Sequence, residues 1–370
     1  MDTFFHIVVF LLGAGIVIAT LFSAVSTFVL PRSARSQLNR LVFGLMRRLF
    51  EFIMSLGKSY EQRDALMAYY APIALMSLVP VWYVLIALGY SFMYWSLRAG
   101  EYFFDLRLSG SSLFTLGFTA SEGYLVTLLV FSEAMLGLIM VGLLIAYLPT
   151  MYSAFSRREQ AVNMLEVRAG DPPNPYDMLT RFHRIHGLDK LAELWKIWEV
   201  WFADVEESHT TLPALVFFRS PRAENSWVTS AGAVLDSAAI TLSSIDIPQE
   251  MSAALCIRAG FISFHRITDY FDIPHPHNPS FPETPISISR GEYDELILKL
   301  EAAGLPIKPD REKAWTDFAG WRVNYDRTLL ILCSLVMAPP NVPWSTDRAP
   351  KFKLPPLFLL KKKHTDAHYH

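Results

Sequence analysis

The chain has 370 residues, of which 52% are hydrophobic, 14% aromatic and 18% charged, with a formal net charge of −2 and a mean hydropathy of +0.27. A soluble domain carries roughly 25% charged residues, so a single ordinary soluble domain is excluded. The small net charge gives no reason to expect a nucleic-acid partner. The average also hides a division. Residues 1–156 hold 17 charged side chains and residues 157–370 hold 51, and the prolines divide 4 against 19. A membrane half followed by a water-facing half is predicted. Cys256 and Cys333 both sit in apolar runs and read as buried free thiols, not as a disulfide or a cysteine zinc site.

Three stretches are long enough to cross a bilayer, which takes about 20 apolar residues. Thr3 to Pro31 and Ala65 to Leu97 carry no charge, and Gly123 to Ser156 carries only Glu133. The first stretch lacks a basic segment before its apolar run, and Ser23-Ala24-Val25-Ser26 makes a poor cleavage site, so it is expected to be a retained helix. Pro72 and Pro80 fall in the second stretch, where a kink at Pro80 is expected. Lysine and arginine set the direction. Arg32, Arg35, Arg40, Arg47, Arg48, Lys58 and Arg63 lie between the first two spans. Only Arg98 and Arg107 lie between the second and third, and Arg157 and Arg158 follow the third. The N-terminus and the 98–122 loop are therefore expected outside, and the first loop and the C-terminal half in the cytoplasm.

Within residues 32–64, Leu38, Leu41, Val42, Leu45, Leu49 and Ile53 recur at helical spacing with Arg40, Arg47, Arg48 and Glu51 between them. This predicts a basic amphipathic helix at the inner membrane face, where arginines meet anionic headgroups. The alternative is a helix packed on the cytoplasmic domain.

The loop between the second and third spans begins Arg98-Ala99-Gly100-Glu101-Tyr102-Phe103-Phe104-Asp105-Leu106-Arg107. It continues Leu108-Ser109-Gly110-Ser111-Ser112-Leu113-Phe114-Thr115-Leu116-Gly117-Phe118-Thr119-Ala120-Ser121-Glu122. It is too short and too apolar for an extracellular domain, but long enough for a short helix and an extended return. Thr115-Leu116-Gly117-Phe118 resembles the start of the potassium-channel selectivity filter, T-V-G-Y-G. Its position between two apolar helices is similar to that in the pore-loop cation channels, over about residues 70–156. The resemblance implies a filter at Thr115, Leu116, Gly117, Phe118 and Thr119, whose carbonyl oxygens replace the water of a monovalent cation, potassium or sodium. Gly117 would supply a backbone of opposite hand. One loop cannot enclose an ion, so four chains around one axis are implied. The family's fifth position is glycine, here Thr119, and its following acidic residue is replaced by Ala120, with Glu122 two positions further on. Both differences fall at the outer filter, so potassium selectivity is not carried over with the resemblance.

By the same resemblance the third span is the inner, pore-lining helix. Gly137 and Gly142 are candidate gating hinges or packing sites, and Pro149 is a candidate for splaying the cytoplasmic end. Glu133 either lines the cavity or bonds Ser111, Ser112 or Thr115 behind the filter.

Residues 157–370 read as mainly helical, with helices at Asp189–Glu207, Ser226–Leu242, Gln249–Phe271, Ser289–Ala303 and Arg311–Met337. Proline-rich breaks fall at Asp171–Pro175 and Pro274–Pro285. Residues 157–340 form the cytoplasmic domain and 341–370 a tail expected to be partly disordered. No G-x-G-x-x-G or Walker sequence is present. His183-x-x-His186 lacks a third ligand. Glu206-Glu207-Ser208-His209 reads as a polar helix end, and His275-Pro276-His277 and the tail histidines His364, His368 and His370 as no specific metal signal. Asp236, Arg258 and Arg322 are candidates for a buried ion pair.

The expectation is thus an all-α membrane protein with three transmembrane helices and one re-entrant pore loop, plus a mainly helical cytoplasmic domain. Its function is expected to be that of a homotetrameric cation channel in the cell membrane. No catalytic residue, metal or cofactor is expected, and membrane lipid is the expected surrounding. The alternative is a membrane-anchored sensor or scaffold with a non-conducting loop.

Overall fold

A computed structural model describes residues 2–28, 37–54, 59–98, 101–120, 122–248 and 251–350. The chain is all-helical, 77% helix with no strands among the described residues, and it divides into two compact units. One comprises residues 1–57 and 66–153, the other 58–65 and 154–370.

The first unit holds helices α1 (Asp2–Phe28), α2 (Gln37–Met54), α4 (Tyr70–Arg98), α5 (Tyr102–Leu113) and the first part of α6 (Tyr124–Ala169). Among the described residues, three helical stretches are long and apolar enough to cross a membrane: Thr3–Phe28, Tyr60–Arg98 and Tyr124–Ala169. Helices α1 and α4 meet at two glycines. A Cβ on Gly13 would lie 2.4 Å from the Gly89 carbonyl, and one on Gly89 would lie 2.8 Å from the Gly13 carbonyl. Only residues without side chains let the two backbones come so close. Towards the end of α1, Ser23 and Ala24 are buried, and the Trp82 Nε1–H donates to Ser23 Oγ at 3.1 Å.

Helix α2 splits the apolar face expected of it. Val42, Phe50 and Met54 turn inward, and Tyr70 donates to the Phe43 carbonyl at 3.3 Å. Leu41, Leu45, Leu49 and Phe52 form an exposed stripe. Arg47, expected to face headgroups, is instead buried and paired with Glu51 at 3.0 Å, because an inward guanidinium requires a partner. A separate helix, α3 (Tyr60–Ala68), precedes α4. Its Asp64 pairs with Arg219, and the Arg219 Nη2 donates to Tyr60 Oη at 3.2 Å. Its first residues thus belong with the second unit.

Helix α4 continues through Pro80, and α6 through Pro149. Helix α6 has 46 residues and runs thirteen residues past Ser156.

The second unit is built around α9 (Trp227–Ser244), in which all 18 residues are buried. It is surrounded by α7 (Pro175–Arg184), α8 (Leu191–Thr211), α10 (Met251–Tyr270), α11 (Arg290–Ala302), α12 (Arg311–Arg322) and α13 (Asp326–Val336). Two buried hydroxyls on α9 are satisfied within the helix, as Ser237 donates to the Ala233 carbonyl and Thr241 to that of Ser237, each at 2.7 Å. The helix expected over Arg311–Met337 is broken at Val323–Tyr325. The break brings Arg322, Tyr325 and Asp326 to one buried point. Arg322 pairs with Asp236 of α9 and with Asp326 at 2.7 Å, and Tyr325 donates to Asp236 at 2.8 Å. Burial opposes the charge on Arg322, but the two carboxylates outweigh it and hold its pKa above the usual value. Asp236 and Arg322 are therefore the buried pair, while Arg258 lies 4.8 Å from the Phe261 ring centre.

Residues 341–350, counted with the tail from sequence, pack instead: Val342, Trp344 and Ser345 are buried. The Trp344 carbonyl accepts from Arg322 at 2.7 Å. The remaining twenty residues, with His364, His368 and His370, lie outside the described ones. Both cysteines are buried and free.

Candidate functional site

The segment between α4 and α6 opens with α5, whose last turn holds Ser109, Ser111, Ser112 and Leu113 in the interior. Ser111 organises the chain that leaves this helix. Its carbonyl accepts from the Leu116 amide at 2.8 Å, and its hydroxyl accepts from the Thr119 amide at 3.1 Å. The Ser112 hydroxyl donates to the Leu108 carbonyl at 2.8 Å, and its own carbonyl accepts from the Thr115 amide at 2.9 Å. Beyond Thr115 the chain leaves helical geometry through Ala120.

Gly117 is left-handed, φ 71°, as expected of a residue without a side chain. Thr115 is also left-handed, φ 55°, and for a β-branched residue this is a strained conformation. Thr119 is not among the residues with positive φ. Phe114, Leu116 and Phe118 are exposed in the single chain, as are Thr115 and Gly117, and Glu122 is exposed just before α6.

Glu133 is fully buried. Its carboxylate accepts from Tyr94 of α4 at 2.8 Å and from Ser109 of α5. It does not meet Ser111, Ser112 or Thr115, the partners expected from sequence. The Ser109 hydroxyl is also 3.0 Å from the Ala87 carbonyl, so α4, α5 and α6 join at one point. One turn further along α6, a Cβ on Gly137 would lie 2.0 Å from the Leu113 carbonyl, while Tyr83 donates to the Gly137 carbonyl at 2.9 Å. The pairs Ser109–Glu133 and Leu113–Gly137 both step forward by four residues, so α5 meets α6 at these two points in the same sense, and residues 116–120 leave the contact as non-helical chain. Gly137 is a packing position; nothing lies within 4 Å of a Cβ on Gly142.

In the second unit the Glu206–His209 segment is interior. His209 is fully buried, and its Nε2 is 3.1 Å from the Arg158 Nη1, so Nε2 accepts. The Nδ1 is then the donor, 3.0 Å from Ser208 Oγ, and the Ser208 hydroxyl donates to the Asp204 carbonyl at 2.6 Å. This is a structural chain, with the serine proton committed to the backbone. Burial, and then the Arg158 charge, push His209 well below the ordinary imidazole range. His183 and His186 do not share a helix face, since α7 ends at Arg184 and His186 is left-handed, φ 52°. His275 and His277 do come together, and with Asp269, a residue the sequence had not singled out.

Compared with protein-family models, with curated proteins and with solved structures, the chain gives no match.

Two outcomes are expected. Gly137→Ala forces the Leu113 backbone aside and costs about 1–3 kcal/mol. Gly142→Ala, with open space and better helix propensity, changes stability by no more than about 1 kcal/mol. Thermal unfolding in detergent distinguishes them, and equal effects would contradict the packing role of Gly137. The His209 case concerns pH. The unfolded imidazole takes up a proton near pH 6.5 and the folded one does not, so stability holds above that pH and falls as pH drops below it. A melting-temperature series from pH 7.5 to 5 is expected to fall less steeply for His209→Gln; an unchanged slope would show that His209 is not responsible.

Proposed function

We propose that the chain is one subunit of a homotetrameric, potassium-channel-like cation channel of the cell membrane, N-terminus outside and second unit cytoplasmic. Four copies of residues 115–119 form its filter, and potassium or sodium is the permeant ion. The observation that carries this reading is a short helix, α5, that meets α6 at Ser109–Glu133 and Leu113–Gly137 in the same sense and is followed by a non-helical segment. Such a helix and segment between two spans would suit a re-entrant loop. Irregular backbone at membrane depth is tolerated where protein buries it or it lines a cavity. The alternation of hand at Thr115 and Gly117 suits a backbone that turns successive carbonyls to one side, as ion coordination demands.

The exposure of Phe114 to Phe118 in the single chain and the sparse cover of α6 support the same reading. In α6, 17% of the most apolar window is buried, against 28% for the first span and 33% for the second. Surrounding copies and lipid would cover both. Glu133, Ser109, Ser111 and Ser112 act behind the filter as supports, and the second unit assembles or gates the pore. Thr119 replaces the glycine of the potassium filter at the outer position, so selectivity there differs.

Ion flux through purified protein in liposomes tests the proposal. Monovalent-cation flux is expected, with a tetramer by mass measurement, and Gly117→Ala is expected to abolish it, because alanine is strained at φ 71°. Thr119→Gly is expected to shift the potassium-to-sodium ratio toward potassium. Flux that survives Gly117→Ala unchanged would remove the filter assignment. A stable dimer without flux would assign the chain instead to a membrane-anchored scaffold.

A further inference from the structure

The alternation of proline and histidine after α10 has a physical consequence. Ile273 and His275 each precede a proline, which keeps them out of helical geometry, and Pro274 and Pro276 fix their own φ. Burial then alternates along the extended run: Ile273, His275 and His277 are partly covered, while Pro274, Pro276 and Asn278 are exposed. In an extended chain residues two apart share a face, so His275 and His277 point to the same side. The chain reaches that position through a tight turn at Asp272, φ 55°, which folds the segment back onto the last turn of α10, where Asp269 lies.

The ligand atoms of Asp269, His275 and His277 all lie within 4.8 Å of one another. The His275 side chain is 1% exposed and that of Asp269 39%, so the cluster is built in on one side and open to solvent on the other. The His275 Nδ1 is 3.0 Å from the Ile273 carbonyl, which can only accept, so Nδ1 carries a proton. Nε2 then presents its lone pair, 3.6 Å from Asp269 Oδ1. Two acceptors at that separation are held together by a cation between them. A proton would join these two atoms alone; a metal ion also accounts for the third, His277. An imidazole that donates one nitrogen's proton to a backbone carbonyl and offers the other to the ion is the usual arrangement of a metal-binding histidine. His265 supports the segment from below, with its Nε2 3.1 Å from the Pro276 carbonyl and its ring centre 4.8 Å from that of His275.

We propose that Asp269, His275 and His277 form a binding site for a divalent transition-metal ion of the zinc class, which clips the proline loop to the end of α10. Two imidazoles and one carboxylate suit zinc and its neighbours rather than calcium or magnesium, which take oxygen ligands. With metal–ligand distances of about 2.0–2.2 Å, tetrahedral ligand atoms stand ~3.3–3.6 Å apart, a spacing the His275–Asp269 pair already has at 3.6 Å, so only the wider pairs close in on binding. Three protein ligands leave a fourth position for water on the side open to solvent.

The full chain in detergent, stripped with a chelator and desalted, is titrated with zinc against a chromophoric competitor, and bound zinc is counted by elemental analysis. One tightly held zinc per chain is expected. It is expected to be lost in His275→Ala/His277→Ala and retained in a variant with His364, His368 and His370 all changed to alanine. Asp269→Asn keeps the shape and both imidazoles, so it is the second variant should the histidine pair prevent folding; at least about 10-fold weaker zinc binding is expected of it. With cobalt in place of zinc, absorption bands of a tetrahedral nitrogen–oxygen site are expected in the native protein. Zinc retained in the His275/His277 variant, zinc lost with the tail histidines, or unchanged affinity in Asp269→Asn would each overturn the proposal.

Discussion

Glu133 puts an ionisable group in the middle of an apolar helix, where it is costly unless donors surround it. Every donor it finds comes from another helix: Tyr94 from α4 and Ser109 from α5. Meeting this requirement fixes the first unit. Serine is short, so its helix must come close, and α6 makes room four residues later with Gly137, where the Leu113 carbonyl occupies the place of a side chain. Tyr83 seals the same point from α4. Once α5 is held at Ser109 and Leu113, the direction of the chain leaving it is set. The chain that leaves it is non-helical through Ala120, with left-handed backbone at Thr115 and Gly117.

Ser111 links the helix to the segment that follows. Its carbonyl and hydroxyl together take three amides from it, those of Leu116, Gly117 and Thr119, so the loop hangs from the end of α5 as α5 hangs from Glu133. The strain at Thr115 sits between these anchors. A conformation costing about 1–3 kcal/mol persists only where its surroundings over-determine it, and here they do so on both sides.

Much of this was legible in the sequence because it is local. Charge distribution marked the spans, and helical spacing marked the helices of the second unit. The short loop between two spans announced a short helix, and Gly117 was placed for a left-handed backbone. What stayed hidden depends on partners far along the chain. Tyr94 and Ser109 lie 39 and 24 residues from Glu133, and nothing in their own neighbourhoods separates them from other tyrosines and serines. Asp236 and Arg322 are 86 residues apart, so three candidate charges could be named but not paired. The break at Val323–Tyr325 was missed for the same reason: helical periodicity continues through it, and the partner of Tyr325, Asp236, lies 89 residues away. Asp269 escaped notice because its relation to His275 exists only after the chain turns at Asp272.

Buried charge is met in two ways. Glu133 is met by neutral hydroxyls, whereas Arg47 in the same unit is met by Glu51. In the second unit, Arg322 is met by two carboxylates, a tyrosine and a backbone carbonyl, and Arg158 by Glu159, His209 and the carbonyls of Leu215 and Phe218. Such ion pairs add little net stability over apolar packing, yet breaking one is expensive, because it leaves a charge stranded. Their effect is to select one arrangement: α9, buried on every side, has few features to fix its rotation except Asp236, which must face the α12–α13 break. At Glu133 hydroxyls give the same definition, orienting a helix without a second charge beside it. Glu133 and Asp236 thus act alike, each the one charged side chain in an otherwise uncharged stretch, Gly123–Ser156 and Trp227–Ser244, held by partners outside its own helix.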